Sequence, residues 1–211
     1  MRKILDLLFP PREDELALRG IARDEFLALL APRLVPATRP GTAVMLPFAH
    51  PAVRSAIHEA KYHGDAHAFG LLASALTDYL RDSDYVGFRK PYIVVVPVPL
   101  GRTRRRERGY NQAEEVARRA LRTLGKEFTG AFSLEPDLLL RTRETASQVS
   151  LPRHLREENM RGAFGAAHVL DPSPSYLVID DVVTTGATMQ AAIDALRAAG
   201  AEHVIPLALA H

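Results

Sequence analysis

The chain has no cysteine among its 211 residues. That excludes disulfides, thiolate metal sites and a cysteine nucleophile, although it leaves the compartment open. Charge of one sign is also lacking: the formal net charge is only +2, so the whole molecule is not a general nucleic-acid binder. No apolar run approaches the length of a transmembrane helix. The opening MRKILDLLFPPRED meets Pro10-Pro11 and acidic residues without a small-residue cleavage site. A signal peptide is therefore not expected, and cytoplasm is the default location. There is no internal repeat, no low-complexity tract, no Gly-x-Ser-x-Gly elbow and no P-loop. The histidines show one close spacing, His63 and His67, interrupted by Gly64 and Asp65. A zinc site there is not expected.

What is present is concentrated in Tyr176–Thr188, YLVIDDVVTTGAT. The apolar run Tyr176–Ile179 suits a buried parallel strand. Asp180 and Asp181 follow, then Val182-Val183 and the small loop Thr184-Thr185-Gly186-Ala187-Thr188. A helix pattern begins beyond it, with Ile193, Leu196 and Ala199 on one face. A Thr/Gly/Ala loop lets backbone N–H groups approach an anion, and the helix start adds unpaired N–H groups. Two carboxylates at the strand end accept bonds from vicinal hydroxyls or face Mg²⁺. Hydroxyl acceptors beside a phosphate cradle match a ribose 5-phosphate. The alternative is an Asp-rich turn followed by an ordinary helix cap.

Elsewhere, Glu13–Ala31 has a helical pattern with Leu16, Ile21, Phe26, Leu27 and Leu30 at core positions. Pro32, Pro36, Pro40 and Gly41 then break the chain. Residues 1–42 read as an N-terminal helical appendage and 43–211 as the main domain. In that domain, 43–48 is a strand. His50-Pro51 starts a helix to about His63, and Asp65 caps another over 66–81. Tyr92–Val96 is the clearest strand. A basic loop follows, with Arg102, Arg104, Arg105, Arg106 and Arg108. Asn111 and Glu114 resemble a capping box that opens a helix to Leu124, closed by Gly125. Leu138–Leu140 is a short strand. His203–Leu209 is the last, with Pro206 suggesting an edge or an irregularity. Alternating strands and helices give an α/β fold, a mainly parallel sheet with helices on both faces. Ligands then bind at the carboxyl ends of its strands.

The basic loop reads as a solvated surface, a nucleic-acid patch or a pyrophosphate site. The last is favoured, because a parallel sheet sets this loop at the same edge as Asp181. The polar stretch 141–159 is long for a structureless connection and reads as a lid or as an exposed loop and helix. Arg141, Arg143, Gln148, Arg153, Arg156 and Asn159 are its donors for anionic oxygens.

Ile179–Thr188 resembles the phosphoribosyl-pyrophosphate (PRPP) loop of type I phosphoribosyltransferases. More widely, the chain resembles the ComF/GntX family, competence-associated proteins with a phosphoribosyltransferase domain. The matching pieces are Leu8–Pro11, Lys61–Asp65, Val96–Leu100, Arg105, Arg108–Glu114, Leu140-Arg141, Arg143, Thr145, Gln148, Leu151, Arg156, Asn159, Gly162–Phe164 and the PRPP loop. They run in the family's order. Arg108–Glu114, RGYNQAE, narrows the match. The departure is the N-terminal zinc ribbon of cysteine pairs, for which this chain has no ligands, so no zinc is expected.

The resemblance implies a type I phosphoribosyltransferase-like fold that binds PRPP with Mg²⁺. Asp180 and Asp181 hold the ribose hydroxyls and meet the Mg²⁺ directly or indirectly. Thr184, Thr185, Gly186, Ala187 and Thr188 hold the 5′-phosphate, and Val182 and Val183 join them as substrate-binding residues. Pro99, Leu100, Arg104, Arg105 and Arg108 face the pyrophosphate, with Gln148 and Arg156 contributed by the lid. Asp180, Asp181, Arg105 and Arg108 form the catalytic set. The acceptor is open (a nucleobase, ammonia or something else). The rival expectation is a non-catalytic PRPP- or nucleotide-binding protein that binds single-stranded DNA beside DNA-uptake machinery. Neither expectation involves membrane insertion, and both leave room for a homo-oligomer.

Overall fold

The computed structural model describes residues 13–82, 92–128, 130–143 and 160–211. Its centre is a sheet in the order β1-β2-β8-β7-β3-β4. The strands are β1 (Arg33–Val35), β2 (Thr42–Leu46), β3 (Ile93–Pro97), β4 (Phe132–Leu134), β7 (Ser175–Val182) and β8 (His203–Ala210). All pairings are parallel except β1 with β2. This is the mainly parallel α/β architecture expected of a phosphoribosyltransferase-like chain. β5 (Leu139–Arg141) and β6 (Phe164–Ala166) form a separate antiparallel pair.

The strands bury both faces, and their alternation sorts the core into two layers. Met45, Ile93, Val95, Leu177, Ile179, Leu207 and Leu209 face α3 (Pro51–Tyr62), α4 (Ala66–Arg81) and α6 (Gln112–Leu124). Val94, Val96, Tyr176, Val178 and Val204 face α7 (Ala187–Ala198) and the β5–β6 pair. Leu177, Val178 and Ile179 are each wholly buried. At about 1.5–3 kcal/mol per large aliphatic side chain, the run leading to Asp180 is among the most firmly held in the fold.

The local signals explain the helix ends. Asp65 caps α4 by accepting from the Ala68 N–H at 2.7 Å. Asn111 caps α6 by accepting from the Ala113 and Glu114 N–H groups. Glu114 does not complete the box in the usual way; its carboxylate is spent on Arg105 and Arg118. Gly200 follows α7 at a φ of 111°, open to glycine without strain.

Several expectations need correction. Glu13–Ala31 is not one helix but α1 (Glu13–Arg19) and α2 (Arg23–Leu27), parted at Gly20. The break rotates the face, so Leu18 is buried while Leu16 is 52% exposed. The basic loop contains a short helix, α5 (Arg102–Arg108), ended by Gly109 in the left-handed conformation. β4 escaped the sequence reading because Phe132-Ser133-Leu134 is too short to show periodicity. Pro206 lies in an internal strand, not at an edge; it precedes the first β2–β8 pair, Ala43 with Leu207, where a missing donor is tolerated.

The segment 33–42 joins the sheet through β1 and reaches the loop after β7. The Arg39 N–H donates to Gln190 Oε1 at 2.7 Å, and Arg197 donates to the Arg39 carbonyl at 3.0 Å. Ala37 packs with the cluster of Val35, Val44, Val183 and Ala208. None of the described helices is long and apolar enough to cross a membrane.

Candidate phosphosugar site

The sheet order creates the site. From β3 the chain continues outward to β4, and from β7 it continues to β8 on the other side. The loops that leave the carboxyl ends of β3 and β7 therefore diverge to opposite faces and open a crevice between them. A cleft of about 820 Å³ lies there. That is within the size range of small-molecule sites, ~300–1,000 Å³. It is lined by Val98–Gly101, by Asp180–Met189, and by Lys61 and Tyr62 at the end of α3. Its charged lining includes Arg54, Lys61, Arg104, Arg108 and Arg141 against Glu107, Asp180 and Asp181, an excess of cations suited to an anionic ligand.

The acidic pair sits at the floor. Asp180 Oδ1 accepts from the Asp181 N–H at 2.8 Å, and Asp181 Oδ1 accepts from the Val182 N–H at 2.7 Å. Asp181 Oδ2 meets Lys61 Nζ at 3.0 Å. Burial, reinforced by the neighbouring Asp181 carboxylate, pushes the Asp180 carboxyl up to about 7; the Asp181 amide, Lys61 and Arg104 pull the other way. Burial wins because a carboxylate loses more hydration than the two cations return.

The loop beyond is held tightly. Gly186 caps α7 with φ 80°. A Cβ on Gly186 would fall 2.1 Å from the Ala37 carbonyl oxygen, so only glycine allows this approach. Val182 and Val183 line the cleft, yet their N–H groups are used within the fold, the second by the Ala210 carbonyl at 3.1 Å. Thr184, Thr185 and Thr188 set hydroxyls along the cleft at the first turn of α7, and Thr185 Oγ1 accepts from the Ala187 N–H at 3.5 Å.

Helical spacing divides the arginines. Thr103, Arg104, Glu107 and Arg108 line the cleft, whereas Arg102, Arg105 and Arg106 do not. Arg105 is held by Glu114 at 3.2 Å. Arg108 stacks over the Tyr62 ring, 5.2 Å from its centroid. The expected Pro99, Leu100, Arg104 and Arg108 thus converge with Asp180–Thr188, and Arg105 stands apart. Gln148 and Arg156, with nearly all of the expected lid, lie outside the described residues. Its near ends are joined, since Thr142 Oγ1 donates to the Gly162 carbonyl at 2.9 Å and Arg143 to the Arg161 carbonyl at 2.8 Å.

Sequence reasoning did not place Lys61 or Arg54 in the site. Both lie on α3, far from the loop in sequence, and only the fold brings them over. The segment Tyr110-Asn111-Gln112 proves to be scaffolding. The Tyr110 hydroxyl donates to the Ala60 carbonyl at 2.6 Å, Asn111 Nδ2 to the Val98 carbonyl at 2.9 Å, and Gln112 Nε2 to the Ile57 carbonyl at 3.1 Å. These bonds fix α3 and the loop after β3 against α6. His67 Nε2 is 3.2 Å from the Leu18 carbonyl, so His67 turns to α1 and its neighbour in sequence, His63, has other companions.

No family model matches the chain. It is 30% identical over 135 residues, 63% of its length, to Competence protein F of Haemophilus influenzae. The matched stretch takes in 56% of that protein, a little over half its length. Over that stretch the chain is similar to a competence protein.

Proposed function

We propose that the cleft binds PRPP together with Mg²⁺ and transfers its ribose 5-phosphate to an acceptor, releasing pyrophosphate. The observation that carries this reading is the convergence of an acidic pair, a glycine-dependent helix-start loop and two inward arginines on one switch-point crevice. The Asp180 and Asp181 oxygens accept the ribose hydroxyls. Thr184, Thr185 and Thr188 donate to the 5′-phosphate with the N–H groups that open α7. Arg104 and Arg108 take the diphosphate, for which a guanidinium fork is suited.

The carboxylates are hard oxygen donors that fit Mg²⁺, which when bound offsets the charge of the diphosphate. In the transfer, the C1–O bond breaks and its electron pair leaves with the diphosphate. The acceptor atom forms the new bond to C1 and gives up its proton. Arg104 and Arg108 lower the barrier by stabilising charge that grows on the leaving group. Lys61, released from Asp181 by the incoming sugar, becomes a further cation on the same ligand. Pyrophosphate release measured across a panel of acceptors tests the reaction. Release that depends on PRPP, Mg²⁺ and an acceptor supports it, and none across the panel leaves a binding protein.

The outward face of α5 favours a second reading, in which a PRPP- or nucleotide-binding protein binds single-stranded DNA beside uptake machinery. Arg102, Arg105 and Arg106 are exposed and outside the cleft lining, and the relative's name ties that protein to competence. Oligonucleotide affinity that falls steeply with salt and is lost in Arg102→Ala/Arg106→Ala supports this role. Affinity unchanged in that variant excludes it.

A further inference from the structure

At the rim of the cleft, His58, Glu59 and His63 bring one imidazole nitrogen each and a carboxylate oxygen within 4.8 Å of one another. They come from the last turn of α3 and its cap, and His58 also lines the cleft. We propose that these three side chains form a binding site for a borderline divalent cation of the Zn²⁺ type, with water completing the coordination.

The arrangement around the three residues goes beyond a chance cluster. His58 Nδ1 lies 3.0 Å from Asp14 Oδ2, a placement that favours the hydrogen on that nitrogen and a metal on the other. Asp14 is itself held, because Ser55 Oγ donates to its other oxygen at 2.8 Å. A carboxylate that orients a histidine by its far nitrogen is the usual outer shell of a metal-bound imidazole. The Tyr62 ring packs 4.8 Å from that of His58 and restricts it from the other side. The third donor is a carboxylate taken out of water: the Glu59 side chain is wholly buried, with His63 Nε2 at 3.9 Å.

Two imidazoles and one carboxylate suit Zn²⁺, Co²⁺ or Ni²⁺ better than Mg²⁺, which prefers oxygen alone. Bond lengths near 2.0–2.2 Å require the ligand atoms to draw in, a change within reach of His58 and His63, both partly exposed. The ligands are not cysteines and do not lie near the N-terminus, so the lack of a cysteine ribbon has no bearing on them. Because His58 faces the cleft, the ion would add positive charge to its rim beside Tyr62 and Arg108. The site itself requires no phosphosugar.

The test is titration of the full chain with Zn²⁺ against a chromophoric chelator, followed by Co²⁺ spectroscopy. One Zn²⁺ per chain is expected, bound at micromolar concentration or tighter. His58→Asn and His63→Asn should each weaken it at least tenfold, and Asp14→Asn by about 10–100-fold through the outer shell. Asp180→Asn/Asp181→Asn should leave it unchanged, which separates this site from the cleft floor. The Co²⁺ form should show visible bands of a four- or five-coordinate centre that are lost in His58→Asn. Circular dichroism confirms that each variant is folded. No binding at micromolar Zn²⁺ overturns the proposal, and so does undiminished binding by folded His58→Asn/His63→Asn.

Discussion

Lys61 Nζ stands 3.0 Å from Asp181 Oδ2, a cation from the end of α3 closing over the floor of the cleft. It is one of the two cations that hold the Asp180 carboxyl down against burial. Lys61→Met should therefore raise the pKa of Asp180 further. Carboxyl carbon NMR of the variant and the parent protein measures this directly. An unchanged titration would mean that the pair does not act on Asp180.

The raised Asp180 carboxyl has a consequence for stability. Its folded pKa, about 7, exceeds the unfolded value of 3.8, so between those pH values the folded state binds the extra proton. Stability contributed by this group is fully present below the unfolded value and is lost as pH rises through about 7. Asp180→Asn should remove the loss and raise Tm at pH 8, with little effect at pH 4. A gain of ~1 kcal/mol corresponds to roughly 2–4 °C for a chain of this size. Thermal melts at both pH values check the sign. The same proton must leave when a ligand needs the ionised pair. Binding enthalpy near neutral pH should then vary with the ionisation heat of the buffer.

Gly186 and Ala37 make a second test. Gly186→Ala puts a methyl group into a carbonyl oxygen at a φ of 80°. Gly109→Ala meets a similar φ of 78° but finds nothing within 4 Å. Strain alone should cost the second variant about 1 kcal/mol, whereas the first should lose ~2–3 kcal/mol and distort the turn between β7 and α7. Equal losses in denaturant melts would show that the approach of residues 36–41 is immaterial.

Asn111 separates capping from positioning. Asn111→Asp keeps the oxygen that caps α6 but loses the Nδ2 donor to the Val98 carbonyl, while Asn111→Ala loses both. Alanine should cost roughly 2–3 kcal/mol and aspartate less. Both should weaken binding of a diphosphate ligand by letting the Val98–Gly101 loop shift. Full affinity in a folded Asn111→Asp would remove the positioning role.

The two faces of α5 should respond differently. Arg104→Ala and Arg108→Ala should weaken PRPP binding at least tenfold each, as expected for charge-assisted bonds of ~1.5–3 kcal/mol. Arg105→Ala should do much less, because its guanidinium is already held by Glu114. Calorimetry on the three variants decides between them.

How far these features could be read in advance follows from their physics. The strand over 176–179, the caps at Asp65 and Asn111 and the close of α7 at Gly200 are local, set by residues a few positions apart. The break at Thr184–Gly186 was legible for the same reason, although the helix starts at Ala187 and takes in the last two residues of the expected loop. Lys61 and Ala37 reach the site only through strand order, and no periodicity within their own segments carries that information. The division of α5 into inward Arg104/Arg108 and outward Arg102/Arg105/Arg106 was hidden because the arginine run reads as a loop until its helix is known. Leu16 misled because a single helix through Gly20 would have buried it.

The most direct measurement is calorimetric titration of PRPP with Mg²⁺ into the parent protein and into Asp180→Asn/Asp181→Asn, with ribose 5-phosphate and AMP as controls. The account predicts Mg²⁺-dependent PRPP binding by the parent, weaker binding of both controls, and loss of PRPP binding in a folded double variant. PRPP binding that survives the double substitution, or none by the parent while the controls bind, would contradict it.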